Sequence, residues 1–393
     1  MSLVRNQKEI QLKIQAEMDK AGFDALVLTT AESIFYATGF ASRSLYNNGV
    51  VGGTIAVVPK TGSCAVICSQ FESKSVTDEC PDVDVVTYPI WLYIEDFPDE
   101  GEKETQPDPN RSFKLAVGVI SDKLGDVKKV GVEPGTLTFP RYEYLTSVYG
   151  KEALADCGKV IINARAFKTA FEIETLRTNT QMAEKQMKLT ADQIKVGMTE
   201  EDIMHFFCVN GFNLSKEVYG IRQAHTYSEY FSTTSIPRTH KLINGDIVRL
   251  DGGVMRKGYS SDLGRTFVVG DTLAPERKEI YDLLLAAYDT GLSMIGPGVR
   301  CADVFNAMLA VVQKKIPNFK RGHFGHSLGC LRGEEYPFIA PTNPGTFEPG
   351  MVFCLEAPYY SSKNGSYNVE DSMLITENGY ELFSHANRDL FWR

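Results

Sequence analysis

The stretch DIVRLDGGVMRKGYSSDLGRTFVVG (246–270) contains two aspartates, each adjoining an apolar run. Asp251 ends the first run and Asp262 precedes the second, with a turn expected at residues 256–258. A hairpin centred on that turn predicts that the two aspartates lie opposite each other, with Cβ atoms about 5 Å apart. Because two carboxylates inside a sheet repel one another and lose hydration, they need a cation between them. The stretch therefore predicts an antiparallel strand pair that carries a metal site; the alternative is that both aspartates face solvent.

A second pair of apolar segments carries two glutamates. Glu356 lies in VFCLEAPYY (352–360) and Glu370 in YNVEDSMLIT (367–376), with a turn expected at residues 363–365. Acidic residues are rarely fully buried unless they are paired or bind a metal. A salt bridge would explain one such glutamate, whereas two in facing strands favour a shared cation.

The stretch GHFGHSLG (322–329) places two histidines among glycines, which allow other backbone to approach closely. His326 is expected to bring a neutral imidazole to the four carboxylates. This ligand set is richer in oxygen than the Cys/His sets of structural zinc, and it suits two divalent ions of Mn²⁺, Co²⁺, Fe²⁺ or Zn²⁺. Such a pair of ions activates water and polarises a carbonyl group. For His323, substrate contact and a local hydrogen bond within the loop are equal alternatives.

The remaining pattern predicts two domains, at residues 1–160 and 161–393. An amphipathic helix at 5–20 and several short β-branched runs indicate an α/β N-terminal domain. These runs are DALVLTT (24–30), TIAVVP (54–59), SCAVICS (63–69) and DVVTYP (84–89). The C-terminal domain alternates helices with the strand pairs described above, which indicates an α+β domain. Its helices are predicted near 199–210, 275–294 and 300–315, after a long helical segment within 163–198.

Composition excludes several classes of partner. The 393 residues carry a formal net charge of −9, which argues against a polyanion such as nucleic acid. No apolar run has the length of a membrane span, and the N-terminal residues lack the apolar core of a signal peptide.

The eight cysteines include no C-x-x-C pair, and Cys64 and Cys68 are expected to be buried free thiols. A reducing, cytoplasmic setting is therefore predicted. The acidic, proline-interrupted residues 95–111 are predicted to be a solvated insertion, with a lid as the alternative.

These motifs resemble those of the creatinase, prolidase, aminopeptidase P and methionine aminopeptidase superfamily. LDGGVMRKGYSSDLGRTF (250–267) is similar to its D-x-G…G-Y-x-S-D-x-x-R-T-F pattern, and GHSLG (325–329) to its G-H-x-x-G pattern. EPGMVFCLEAPYY (348–360) and VEDSMLITENG (369–379) resemble its last two metal-binding motifs. AGFDALVLTTAESIFYATGF (21–40) resembles the creatinase-type N-terminal domain. The resemblance therefore implies a creatinase-like α/β domain followed by an α+β pita-bread catalytic domain.

The resemblance also implies roles for the five candidate ligands. By analogy, Asp251 chelates one ion, His326 and Glu356 hold the other, and Asp262 and Glu370 bridge the two. A metal-activated water would attack an amide carbonyl while Glu356 shuttles the proton. A homodimer is implied in the same way.

Three positions depart from the family's peptidase pattern. Peptidases of the family carry a histidine seventeen residues before the first ligand, a second histidine seven residues after the metal histidine, and an arginine two residues before the last glutamate. Here these positions hold Thr234, Gly333 and Asn368. Together they predict a pocket for something other than an Xaa-Pro peptide.

Other residues are candidates for the substrate pocket. His225 would replace the lost histidine, or is a surface residue. Glu334 and the adjacent Glu335 would favour a cationic substrate at the pocket mouth, or form a solvated rim. Arg238 would bind a carboxylate, or pair with an exposed acid.

The sequence favours a metal-dependent hydrolase of an amide bond in a dipeptide or a small modified amino acid. The alternative is a lyase or specialised hydrolase of an osmolyte-like compound. Sulfonium lyases of the superfamily keep the metal ligands but add an aspartate where this chain has Gly253, which weakens that alternative. A binding module without metal is the third interpretation, and the complete ligand set argues against it.

Overall fold

The structure, a computed structural model, describes residues 3–46, 49–98, 108–223, 226–227, 239–330 and 334–391. The chain divides into two compact units, Val4–Arg165 and Ala166–Arg393. His225, Thr234, Arg238 and Gly333 lie outside the described residues, as does part of the acidic insertion.

The N-terminal unit is an α/β layer structure. Within the described residues its sheet has six strands in the order β4-β3-β2-β1-β5-β6, in which β2 is antiparallel to β1 and β3 and the other pairs are parallel. The strands are β1 Ala25–Leu28, β2 Ile55–Pro59, β3 Ala65–Ser69, β4 Asp84–Tyr88, β5 Val130–Val132 and β6 Leu154–Asp156. The helices are α1 Gln7–Ala21, α2 Ala31–Thr38, α3 Arg43–Tyr46, α4 Gln70–Glu79, α5 Arg111–Leu124, α6 Phe139–Tyr149 and α7 Gly158–Ala166, with short 3₁₀ turns at 134–136 and 151–153.

Helix α1 illustrates how the N-terminal sequence determines its local structure. The Asn6 side chain accepts a hydrogen bond from the Glu9 amide, which caps the first turn, and Gly22 ends the helix in a left-handed conformation. Ile10 and Met18 point into the core, as the amphipathic pattern predicts. Cysteine positions are also as predicted, because Cys64 and Cys68 are buried free thiols.

The C-terminal unit packs helices against a large, mainly antiparallel sheet. Within the described residues this sheet has ten strands, seven of them in the order β10-β9-β11-β17-β14-β12-β13, with β7 and β8 paired to β9 and β18 paired to β17. The strands are β7 Val218–Gln223, β8 Thr226–Tyr227, β9 Ile247–Arg256, β10 Tyr259–Ser260, β11 Leu263–Val268, β12 Gly325–Ser327, β13 Glu335–Phe338, β14 Val352–Glu356, β17 Glu370–Thr376 and β18 Gly379–Leu382. A separate hairpin consists of β15 Tyr359–Ser361 and β16 Gly365–Tyr367, and the helices are α8 Ala170–Gln193, α9 Glu200–Leu214, α10 Pro275–Met294 and α11 Cys301–Gln313.

The long helical segment predicted within 163–198 is interrupted in the structure. Helix α7 ends at Ala166, and α8 begins after Thr169, which forms a capping box with Glu172. Because the Thr169 side chain accepts from the Glu172 amide while the Glu172 carboxylate accepts from the Thr169 amide, a new helix start is stabilised there. None of the described helices is both as long and as apolar as a membrane-spanning helix.

The predicted register of the first hairpin was wrong. Strand β9 turns into β10 through Lys257 and Gly258, both at positive φ, so that Arg256 pairs with Tyr259. Asp251 therefore lies opposite Gly264, two positions beyond Asp262. A shift of two residues keeps both aspartates on one face of the sheet, because side chains alternate with period two.

Arg265 joins β11 to β17 in the interior of this unit. Its side chain is 1% exposed and donates to the Glu370 carbonyl at 2.6 Å and to an Asp371 carboxylate oxygen at 2.6 Å. The second Asp371 oxygen accepts hydrogen bonds from Tyr288 and Arg388. This network fixes the strand that carries Glu370 against the strand that follows Asp262.

Replacing Arg265 with methionine is expected to lower the free energy of unfolding of the C-terminal unit by about 3–5 kcal/mol, because it removes one partner of a buried ion pair. Urea unfolding followed by circular dichroism would measure this loss. The matched control is Arg300→Met, since Arg300 pairs with Asp303 at the exposed surface, and it should leave the unfolding midpoint unchanged. Equal midpoints for the Arg265 variant and the unmodified chain would contradict the assignment.

Candidate metal centre

The order of the strands brings the five predicted ligands side by side. Strands β9, β11, β17, β14 and β12 are consecutive neighbours in the sheet. Four of them carry Asp251, Glu370, Glu356 and His326, and Asp262 is the residue immediately before β11. Segments up to about 120 residues apart in the chain thus converge on one region, as the antiparallel strand pairs predicted.

A cross-strand row explains how the carboxylates come to share one face. Gly264 pairs with both Asp251 and Glu370, and Glu370 pairs in turn with Glu356, as predicted for the second strand pair. Residues in such a row point to the same side of the sheet. Gly264 leaves room within the row, because a Cβ there would lie 2.9 Å from the Glu370 Cβ.

Three of these residues form a buried group that fits a divalent cation. The His326 Nε2 atom lies 3.6 Å from Asp262 Oδ2 and 3.7 Å from Glu370 Oε1. His326 Nδ1 is 3.0 Å from the Ser327 carbonyl, to which it must donate, so Nε2 is left with its lone pair toward the carboxylates. Cys354 Sγ lies within the same group. We refer to Asp262, His326 and Glu370 as the buried triad.

Electrostatics also indicate that the buried triad needs positive charge. Burial raises the pKa of Asp262 to about 6, with the Asp251 carboxylate adding to the effect and Arg222 opposing it. Burial and the carboxylates of Asp262 and Asp251 raise the pKa of Glu370 well above its usual range. Within the described residues the buried Glu370 Oε1 atom makes no hydrogen bond. A cation among these oxygens would compensate both the lost hydration and the mutual repulsion.

Two arginines that the sequence analysis missed contact the candidate ligands. The Arg222 guanidinium forms an ion pair with Asp262 through Oδ1, and its Nη1 is 3.9 Å from Asp251 Oδ1. Arg321 Nη2 is 2.5 Å from Glu356 Oε1. The only signal for Arg222 was a charged residue inside the strand-like run VYGIRQ (218–223), and Arg321 stands directly before the histidine motif. Cys354 was also missed, although it stands two residues before Glu356 on the same strand.

His323 connects Glu356 to the outer part of the site. Its Nδ1 is 3.3 Å from Glu356 Oε1, and its Nε2 is 3.2 Å from Glu334 Oε2. The hydrogen bond from His323 lowers the pKa of Glu334 to about 2. His323 thus contacts two carboxylates, one of them Glu334, which is 43% exposed. Contact between His323 and substrate stays a prediction.

Two neighbouring residues have different surroundings from those expected. Glu335 does not lie at a solvated rim: it is buried, and its carboxylate is 3.7 Å from the Lys168 ammonium. Asn368 is buried and donates to Glu370 Oε2 at 3.0 Å and to Asp251 Oδ2 at 3.4 Å. It thus holds two carboxylates in place, and a part for Asn368 in the substrate pocket stays a prediction.

The sequence aligns with two family models along most of its length. Residues 11–167 match the creatinase/prolidase N-terminal domain, and residues 174–377 match metallopeptidase family M24. The chain belongs to metallopeptidase family M24. This family membership confirms the predicted architecture, a creatinase-type N-terminal domain followed by a pita-bread domain.

Relatives of this M24 protein cover nearly its whole length. It is 25% identical over 383 residues to an uncharacterised peptidase of Staphylococcus haemolyticus, covering 96% of this chain and 99% of that protein. Its fold is similar to that of a prolidase from Thermococcus sibiricus, with a TM-score of 0.81, 20% identity and coverage of 99% and 100% of the two chains. An Xaa-Pro dipeptidase from Bacillus anthracis gives a TM-score of 0.79 at 21% identity, with coverage of 98% and 99%.

Gly253 disfavours the sulfonium-lyase alternative. It has a φ of +155°, and a Cβ there would collide with Ser261 Oγ and lie 2.8 Å from the Ala183 Cβ. A larger side chain at this position, such as the aspartate expected of those lyases, would require the neighbouring residues to move.

Substitution of a triad residue is expected to weaken metal binding strongly. Asp262→Ala and His326→Ala each remove a ligand, and the affinity for Mn²⁺ should fall by at least about 100-fold, since loss of a residue that only supports a ligand already costs 10–100-fold. Titration calorimetry would measure the affinity, with the exposed His385→Ala as the matched control. Unchanged Mn²⁺ binding in both triad variants would place the metal elsewhere.

Metal affinity should also decrease as the pH is lowered. A carboxyl group must lose its proton to bind a metal, and the pKa of Asp262 is raised to about 6 and that of Glu370 well above its usual range. The affinity should therefore drop by at least about ten-fold per unit below pH 6. Titrations with Mn²⁺ at several pH values, in buffers of different ionisation enthalpy, would give both the affinity and the number of protons released. Constant affinity between about pH 7.5 and 5 would contradict the predicted protonation of the triad.

Proposed function

We propose that this chain is a metal-dependent hydrolase that cleaves an amide C–N bond in a dipeptide or a small modified amino acid. The observation that carries the proposal is the buried triad in the sheet of a family M24 fold, with its ligand atoms converging within a few ångströms. The names of the relatives, peptidase, prolidase and Xaa-Pro dipeptidase, favour the same reaction.

The residues in and around the triad would have different roles in the reaction. A divalent ion held by Asp262, His326 and Glu370 would supply Lewis acidity toward the carbonyl oxygen and acidify a water. Glu356 would accept the proton of the attacking water and return it to the leaving nitrogen. Its contacts with Arg321 and His323 hold its carboxylate in one orientation, which such a proton transfer requires.

Several properties implied by the resemblance belong to this proposal. They are the identity of the divalent ion, with Mn²⁺, Co²⁺, Fe²⁺ or Zn²⁺ as the candidates, and a homodimer working in the cytoplasm. The resemblance also implies a second ion with Asp251 and Glu356 as ligands, and that part stays a prediction that the number of bound ions tests. We also infer that His225, Thr234 and Arg238 contribute to the substrate pocket.

We infer further that the substrate carries a positive charge near Glu334. The Glu334 carboxylate is partly exposed and ionised over the whole neutral range, and its lowered pKa keeps it ionised in mildly acidic solution as well. His323 already contacts one of its two oxygens, which leaves the other for an ammonium group. A peptide amino terminus or a basic side chain would meet this requirement.

An activity screen of the metal-loaded protein tests the proposal. The panel comprises Xaa-Pro dipeptides, dipeptides without proline and N-acylated amino acids, each with and without a free ammonium group, and the readout is release of the product amine. Metal-dependent hydrolysis is expected, with kcat lowered at least about 100-fold in Glu356→Gln. Protein that holds metal and cleaves no amide in the panel would contradict the proposed reaction.

The role of Glu334 is tested with the same assay. Glu334→Gln should raise KM for the cationic substrates by roughly ten-fold and leave KM for the neutral ones unchanged, because only an ammonium group loses a charged partner. The exposed Glu377→Gln is the matched control. An equal rise in KM for both substrate classes would show that Glu334 supports the site without recognising charge.

A further inference from the structure

Arg222 lies among the residues that the family pattern assigns to one of two metal ions. On β7 it pairs with Gly253 of β9, two residues beyond Asp251 on the same strand. Because side chains alternate along a strand, Arg222 shares a face with Asp251. Its guanidinium contacts Asp262 Oδ1 and lies 3.9 Å from Asp251 Oδ1, in a side chain that is only 17% exposed.

The two oxygens of Asp262 are directed to different partners. Oδ1 contacts Arg222, whereas Oδ2 faces His326 at 3.6 Å within the buried triad. Asp251 has Arg222 on Oδ1 and Asn368 on Oδ2, at 3.9 and 3.4 Å. Both carboxylates on the Asp251 side of the centre therefore already have a cationic or hydrogen-bonding partner from the protein.

The charge balance of the centre also favours a single divalent ion. The four candidate carboxylate ligands carry four negative charges when ionised, and Arg222 and Arg321 each contribute one positive charge against them. The remaining two negative charges match one divalent ion. A second divalent ion would leave a net charge of two positive units in a largely buried centre, which is strongly unfavourable.

We propose that the Arg222 guanidinium takes the place of the ion that Asp251 would chelate, so that the centre holds a single divalent cation at Asp262, His326 and Glu370. The inference rests on the proposed function only in that the buried triad binds metal. It deepens that function, because a mononuclear centre must activate water and polarise the carbonyl with one ion. Arg222 then acts as a fixed positive charge beside the reacting group.

The number of bound ions tests the inference independently of activity. The full chain is loaded with excess Mn²⁺, freed of unbound metal by gel filtration, and analysed for ions per chain by elemental mass spectrometry. Electron paramagnetic resonance then distinguishes isolated Mn²⁺ from exchange-coupled pairs. The variants are Arg222→Met, which removes the charge at similar length, and Arg222→Lys, which keeps it. Arg256→Met is the matched control, because Arg256 lies on the adjoining strand and pairs with Glu217.

One uncoupled ion is expected in the unmodified chain, in Arg222→Lys and in Arg256→Met, and a second, coupled ion only in Arg222→Met. Two ions in the unmodified chain would overturn the inference. A single ion in a folded Arg222→Met variant would overturn it as well. Neither result would contradict the proposed metal-dependent hydrolase. If Arg222→Met fails to fold, two ions in Arg222→Lys would still overturn the inference, and one ion in the unmodified chain and in Arg222→Lys supports it. No ion in any variant would overturn the inference together with the proposed function.

Discussion

Carboxylates within a β-sheet repel one another, and the C-terminal unit places Asp251, Asp262, Glu356 and Glu370 on neighbouring strands of one sheet. Burial removes the hydration of these carboxylates and increases their repulsion, because water no longer screens it. The pKa values of Asp262 and Glu370 are raised first by the lost hydration and then by the neighbouring carboxylates. The sheet tolerates this arrangement only with positive charge between the strands. Two guanidiniums supply part of that charge, and a divalent cation is the chemically suitable source of the remainder.

A rigid framework keeps the charged groups in their positions. Arg265 bridges β11 and β17 and is itself held by Asp371, whose other oxygen is bound by Tyr288 and Arg388. Gly264 leaves the space in which Asn368 reaches Asp251 and Glu370. This framework consists of contacts between paired strands and core side chains. It limits how far apart the ligand oxygens can move. Stability and the geometry of the centre are therefore coupled in this unit.

Most of the elements and the pairing of Glu356 with Glu370 could be predicted from the sequence, because hydrophobic periodicity and turn residues are local signals. The hairpin register could not. The sequence predicted a turn at residues 256–258, whereas Lys257 and Gly258 form a two-residue turn with both φ values positive. Choosing between the two depends on the conformation of one lysine, and the hydrophobic pattern is the same in both registers because they differ by two residues. Glu335 was misplaced for a related reason, since its buried partner Lys168 is distant in sequence.

The sequence by itself determined the family and the two-domain architecture, because short motifs of fixed spacing carry that information. The same motifs predicted which residues are the candidate ligands. Only the tertiary structure decided the electrostatic setting of those ligands. Arg222 comes from a strand that precedes Asp251 by about 30 residues, and it reaches the centre only because β7 pairs with β9. Strand pairing depends on long-range contacts that no local pattern encodes, and a guanidinium is attracted by the combined charge of several strands. The charge that balances the carboxylates is therefore a property of the folded sheet.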